Sequence, residues 1–386
     1  MPAGSESRII HSARRIDAGG ILEDAWVLSR DGRVVGSGTG DDWRAHATAD
    51  TDVWDAAGQT LVPGFIDLHA HGAGGAAYDD GPAAMRQGVA AHREHGTTRA
   101  VLSFVASPIP VLVDRLGEVA ELAAVDPGVL GAHLEGPFLA EERRGAHDPD
   151  LLVAPSPEVV EELIEAGRGF LRQVTLAPER HGALDAIARF SAAGVVAAIG
   201  HTTADAALTA RAGDAGATLL THAFNAMNGI GHREPGPIVV AFDRPEFTLE
   251  IILDGVHVHP SVAALAFREA PGRIALVTDA MAAAGSADGD YRLGGLAVTV
   301  ADGRAVLTGT ETIAGSTLTQ DVALRNAVEL AGIDPVAAVT ALTLTPARAL
   351  GLGDRLGRLE PGFADDALLL DASWAISRVF PATFPV

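Results

Sequence analysis

The sequence predicts an α/β protein: a (β/α)8 TIM-like barrel with a small β-sandwich domain built from the N- and C-terminal segments. Three observations predict it. From Thr60 onward, short apolar runs alternate with Ala-rich stretches of helical period. Both ends of the chain read instead as short strands and turns. Residues of metal-ligand type recur where the apolar runs stop, and the end of a strand is where a barrel carries its chemistry.

The elements follow in order. "DGRVVGSGTG" (31–40) has a DG turn, a β-branched pair and then glycines, the pattern of a hairpin. Barrel strands are expected over 61–66, 99–104, 129–134, 173–176, 195–199, 218–221, 248–253 and 274–277. Helical patterns lie between them over 83–95, 111–124, 157–166, 183–193, 204–212 and 261–270. A doubly wound sheet would follow its first strand with G-x-G-x-x-G, and "GAGGAAYDDG" lacks that spacing. Two more helices are expected over 318–330 and 335–342. The tail "GRLEPGFADDALLLD" is turn-like and then apolar, and it pairs most simply with the N-terminal strands. The expected division is a small domain from 1–58 and 356–386 around a barrel at 59–355.

Composition narrows the chemistry. A hydrophobic share of 48% in 386 residues is enough to bury a large core. No apolar run reaches the length of a membrane span, and no secretory signal is evident, so a cytoplasmic location is expected. The formal net charge of -22 argues against nucleic-acid and anionic-membrane partners. With no cysteine, disulfides are impossible and a metal site must use nitrogen and oxygen ligands. All 28 basic residues are arginine. That excludes Schiff-base lysine chemistry, a phosphate-loop lysine and a carbamylated lysine bridging two metals.

The strand ends are the informative positions. "PGFIDLHAHG" (63–72) places His69 and His71 two residues apart, on one side of a strand. "GAHLEGPF" offers His133 and Glu135, "AAIGHTT" offers His201, and "LLTHAFNAM" offers His222. "LVTDAMAAAG" offers Asp279 on the last strand. A lone strand-end histidine is more often solvated than ligating. Five ligand-type residues, His69, His71, Glu135, His201 and His222, at the same end of four strands favour a metal. Imidazole and carboxylate without thiolate suit zinc or Fe²⁺ in a site with an open position. Asp279 suits a proton carrier.

Taken together, "DAAGQTLVPGFIDLHAHG", "HLEGPF", "RRGAHDP", "IGHTTA", "THAFNAMNGIGHREPG", "ILDGVHVHP", "LVTDAMAAAG" and "IAGSTLT" resemble the N-acetylglucosamine-6-phosphate deacetylase family of the amidohydrolase superfamily. The resemblance implies removal of the acetyl group from N-acetylglucosamine 6-phosphate. It implies Glu135, His201 and His222 as the main metal ligands, and Asp279 as general base and then acid. His147 would reach the acetyl carbonyl, with Ala146 beside it. Asn225 and Ala226 would give backbone amides to the phosphate. Arg233 would be the phosphate's ionic partner across a homodimer interface. His257 would contact the sugar or phosphate, and Ile313, Ala314 and Gly315 would line the far side. Some relatives carry amides where His69 and His71 stand, so this chain suits a second metal, with Glu135 as the bridge. His133 is expected to stand behind the ligands. Two rivals are another metal-dependent amidohydrolase, such as a dipeptidase, acylase or deaminase, and a barrel that only binds.

Overall fold

A computed structural model of the chain describes residues 7–381 together with 383 and 385. Eight parallel strands follow one another in sequence order around a barrel: Phe65–Ala70, Thr97–Val105, Val129–Glu135, Leu171–Leu176, Val196–Ile199, Ala217–Leu220, Thr248–Ile252 and Ile274–Val277. Nearly every residue in them is buried, as expected when helices cover the outside and side chains fill the inside. The first and last strands are joined just beyond the regular ladder. The Asp279 N–H donates to the His69 carbonyl (2.7 Å) and the His71 N–H to the Ala280 carbonyl (2.7 Å). The buried Asp67 carboxylate accepts from the Thr278 hydroxyl at 2.6 Å. Closure therefore runs through the segments that carry candidate site residues.

The first strand differs from the expected 61–66. The chain breaks at Pro63 and Gly64: Thr60–Pro63 joins another sheet and Phe65–Ala70 enters the barrel. Gly64 permits this because a Cβ there would meet the Thr98 hydroxyl at 2.1 Å. The other sheet has seven strands. Its main order is Ile376–Phe380, Ala367–Leu370, Thr60–Pro63, Ser7–Asp17, Gly20–Arg30 and Arg33–Thr39, with Thr51–Asp55 also paired to Ser7–Asp17. The two-residue Asp31-Gly32 turn has positive φ at both positions, which matches a primed hairpin turn. One face of this sheet buries Ile10, Val27, Leu61 and Leu369. The other buries Ile9, Trp26, Leu28 and Trp43. Val62, Leu368 and Leu370 continue into the barrel's own core.

Helix Leu344–Ala349, helix Gly236–Asp243 and a three-stranded sheet escaped the pattern reading. Helix Gly236–Asp243 ("GPIVVAFD") was masked by its own apolar content, which carries little periodicity. A three-stranded antiparallel sheet, Gly289–Leu293, Leu296–Ala301 and Arg304–Leu307, follows the last barrel strand. It packs on the barrel mouth through Val105, Met281, Leu293, Val298 and Ala314. The helix expected over 318–330 forms, but its second half, Asn326–Leu330, widens to π geometry. No helix among the described residues is long and apolar enough to cross a membrane.

Candidate active site and metal centre

Six of the predicted residues meet at the C-terminal mouth of the barrel. His69 lies within the first strand and His71 one residue beyond it, while Glu135 is the last residue of the third. His201, His222 and Asp279 each stand two residues past the fifth, sixth and eighth strands. These last three have positive φ, at 47°, 28° and 47°. A left-handed residue with a side chain costs about 1–2 kcal/mol. Such residues gather where the surrounding structure enforces a functional geometry. Here the turns bring His201 and His222 to the Glu135 carboxylate, and Asp279 to His69 and His71.

Glu135 is the hub. Its Oε1 lies 3.0 Å from His201 Nε2, 3.0 Å from His222 Nε2 and 3.5 Å from His69 Nε2. Its Oε2 lies 3.2 Å from both His71 Nε2 and His147 Nε2. Asp279 Oδ1 is 3.5 Å from His69 Nε2 and 3.3 Å from His71 Nε2. All of these side chains are buried.

The donor set fits a cation. His201 Nδ1 faces the Arg143 carbonyl at 2.8 Å, and His69 Nδ1 faces Glu250 Oε2 at 3.2 Å. In the neutral ring each Nδ1 must then be the N–H, which leaves the Nε2 lone pair pointing into the site. Yet His201 Nε2 lies 3.0 Å from His222 Nε2, and His69 Nε2 lies 3.2 Å from His71 Nε2. No hydrogen bond among the described residues fixes the proton of His71 or His222 on Nδ1, so all four Nε2 atoms can present lone pairs only when a cation, and not a ring proton, is shared among them. The charges agree. Burial alone would suppress the imidazolium of His69, but Glu135 and Asp279 outweigh it and hold this group well above its usual range. His71 is likewise buried, and hydrogen bonds to Asp279 and Glu135 lift it to about 9. Asp279 is pushed up by burial but drawn down further by His69 and His71, to about 2. Four residues, His69, His71, Glu135 and Asp279, can converge on one ion.

His147 is different, although its ring is as close to Glu135 as the others. Its Nδ1 accepts from the Ala106 N–H at 3.2 Å. The proton of the neutral ring is therefore on Nε2, which faces the cavity as a donor. Burial keeps the ring neutral, holding its pKa below the ordinary value despite Glu135. His133 stands behind His69, with both nitrogens engaged by the Ser103 and Thr175 hydroxyls.

The cluster forms the floor of a cavity of about 290 Å³. Its walls include Ala146, Asn225, Ala226, His257, Ile313 and Gly315. The Asn225 backbone N–H is bound to the His222 carbonyl. The Ala226 N–H has no acceptor among the described residues. His222, Phe224 and Ala226 alternate at positive φ, a loop form that exposes N–H groups to anions. His257 is half-buried, which disfavours its charge, but Asp254 at 2.7 Å raises its pKa on balance. Ala314 sits behind the wall in the apolar cluster under the three-stranded sheet. Arg233 is exposed, outside this chain's cavity, and pairs with neither Glu234 nor Asp243. Sequence reasoning passed over Arg143 and Leu293 on the wall, and Glu250 beneath it. Arg143 carries no signal in "EERR". Glu250 does: it is a lone carboxylate inside the apolar run "TLEII".

A carboxylate-centred histidine cluster at the mouth of a (β/α)8 barrel defines a metal-dependent hydrolase of the amidohydrolase class. The chain belongs to the amidohydrolase family, which matches residues 60–383. It is 35% identical over 379 residues to an N-acetylgalactosamine-6-phosphate deacetylase of Escherichia coli O157:H7, covering 97% of this chain and 98% of the relative. It is 35% identical over 382 residues to an N-acetylglucosamine-6-phosphate deacetylase of Bos taurus, covering 95% and 92%. A solved N-acetyl-D-glucosamine-6-phosphate deacetylase of Mycobacterium smegmatis, in complex with N-acetyl-D-glucosamine-6-phosphate, is 40% identical, with a TM-score of 0.91 and 98% of each chain covered.

Proposed function

We propose that this chain hydrolyses the acetamide of N-acetylglucosamine 6-phosphate, giving acetate and glucosamine 6-phosphate. One observation carries the reading: the ligand cluster with Asp279 and an anion-suited wall share a single cavity. Full-length similarity to deacetylases of N-acetylhexosamine 6-phosphates supports the same substrate class.

In this reading Glu135, His201 and His222 would hold a first divalent ion, zinc by preference or iron. His69 and His71, together with Glu135, would hold a second. Such an ion, when bound, polarises a carbonyl oxygen and lowers the pKa of water. The remaining steps belong to the chain. Asp279 is ionised, buried and beside the cluster, so it can take a proton from the attacking water. The water oxygen bonds to the acetyl carbon. His147 Nε2–H donates to the carbonyl oxygen as negative charge builds there, a contribution of about 3 kcal/mol to the barrier. Asp279 then returns its proton to the nitrogen as the C–N bond breaks, so the amine leaves neutral.

The phosphate would lie against the Ala226 N–H and His257. These supply local positive potential in a chain of net charge -22. Arg233 would add its guanidinium from the partner subunit of a homodimer, which accounts for its exposure here. We keep the division into a 59–355 barrel and a domain from 1–58 and 356–386 as part of this proposal, along with a cytoplasmic location. The test is acetate release from N-acetylglucosamine 6-phosphate, its galactosamine and mannosamine epimers, and free N-acetylglucosamine. Two charge-assisted contacts to phosphate are worth about 3 kcal/mol or more. We therefore expect kcat/KM for the phosphorylated sugar to exceed the free sugar by roughly 100-fold or more. Equal turnover of the free sugar would refute the substrate assignment.

A further inference from the structure

The seventh barrel strand carries one charge in its interior. Glu250 is completely buried, between Leu249 and Ile251. Its carboxylate accepts from Gln173 Nε2 on one oxygen (2.9 Å). The other accepts from His69 Nδ1 (3.2 Å) and from the backbone N–H of His222 (3.3 Å). Its main-chain carbonyl accepts from the Ala223 N–H at 2.7 Å. Among the described residues no arginine reaches it, and His69 is its one ionisable partner. A carboxylate taken fully out of water needs such a partner.

The contact has a chemical consequence. A carboxylate at Nδ1 fixes the His69 proton there and turns the Nε2 lone pair toward Glu135, His71 and Asp279. His71, the other half of the pair, has no comparable support, and its buried Nδ1 has no partner among the described residues. The same Glu250 oxygen also anchors the backbone of His222. One buried acid therefore touches a candidate ligand of each ion position.

We propose that Glu250 is a positioning residue of the metal centre: it orients His69 and thereby governs filling of the second ion position, at His69 and His71. This rests on the two-ion reading given above.

Glu250→Gln tests it. The amide keeps the shape and can leave an oxygen toward His69. Its NH₂ can face Gln173, whose own Oε1 has no partner among the described residues. Metal-stripped protein is equilibrated with graded free zinc, and bound zinc per chain is measured. We expect two zinc ions in the unmodified protein. In Glu250→Gln the first ion should bind as before, and the second should need about 10–100-fold more free zinc. In a His69→Gln background, adding Glu250→Gln should change nothing further. A variant that fills both positions with unchanged affinity, or loses both equally, would overturn the proposal. A single ion in the unmodified protein at saturating zinc would overturn the two-ion reading itself, and this inference with it. Neutron diffraction of the unmodified zinc-loaded protein gives an answer that depends on no variant. Deuterium on His69 Nδ1 facing Glu250 is expected, and a bare Nδ1 would contradict the proposal.

Discussion

The two ends of the barrel bury charge in opposite ways. At the bottom, Arg99 is wholly buried in the second strand. Its Nε meets Asp366 Oδ2 at 2.5 Å, its Nη2 meets Asp366 Oδ1 at 3.1 Å, and its Nη1 donates to the Pro127 carbonyl at 2.8 Å. The carboxylate there faces a permanent cation in bidentate geometry. At the mouth, Glu135 and Asp279 face only imidazoles, and no guanidinium contacts either among the described residues. The bottom is electrically complete and joins the barrel to the seven-stranded sheet. The mouth leaves its positive charge to protons or a metal. A buried acid with its own arginine is structural; a buried acid given only titratable rings is prepared for something from outside.

That contrast can be broken at either end. The largest effect is expected from Asp279→Asn, which removes both the base and the acid. We expect kcat to fall by about 10⁴-fold, a rise of about 5 kcal/mol in the barrier, with the ion at Glu135, His201 and His222 retained. Substantial residual turnover would remove Asp279 from its role. Next is Arg99→Met, which strands Asp366 in the interior and should cost about 3–5 kcal/mol of unfolding free energy by denaturant titration. Adding Asp366→Leu should recover much of that loss. A mild single effect would mean the bottom is not held by this pair.

His147→Phe keeps the packing and removes the donor. The barrier is expected to rise by about 3 kcal/mol, read as a fall in kcat with KM little changed. A shift confined to KM would assign His147 to binding alone. The smallest effect concerns His92, which burial holds down at about 4 while its ring contacts the Gly72 carbonyl. Unfolded, it would titrate near 6.5. Between these values the unfolded chain binds the proton that the folded chain refuses. Stability is therefore fully present above pH 6.5 and falls as pH drops toward 4, by about 2 kcal/mol at pH 5. His92→Gln should flatten that part of the unfolding profile, and an unchanged slope would exclude His92 as its source.

The mouth was more legible in the sequence than the bottom. Ligand-type residues stand out at strand ends because a histidine or acid after an apolar run has few structural uses. Position in the barrel then brings His69, Glu135, His201, His222 and Asp279 together without further information. Arg99 and Asp366 lie 267 residues apart and look like any charged residues beside a strand. Glu250 was visible as a charge in an apolar run, but its partners come from the first, fourth and sixth strand regions, a match only the closed barrel makes. The positive φ of His201, His222 and Asp279 leaves no mark, since none is glycine. The break at Gly64 was signalled by the Pro63-Gly64 dipeptide, but the apolar residues on both sides of it do not show that they serve two different sheets. The three-stranded cover at 289–307 reads as ordinary loop and hairpin, and its role on the wall depends on where the last barrel strand releases it.

The most direct measurement is anomalous X-ray diffraction at the metal edge, on crystals of protein whose acetate release from N-acetylglucosamine 6-phosphate is abolished by a chelator and restored by zinc. The account predicts an anomalous peak among Glu135, His201 and His222. Full activity in metal-stripped protein, or a peak elsewhere with none among these three, would contradict it.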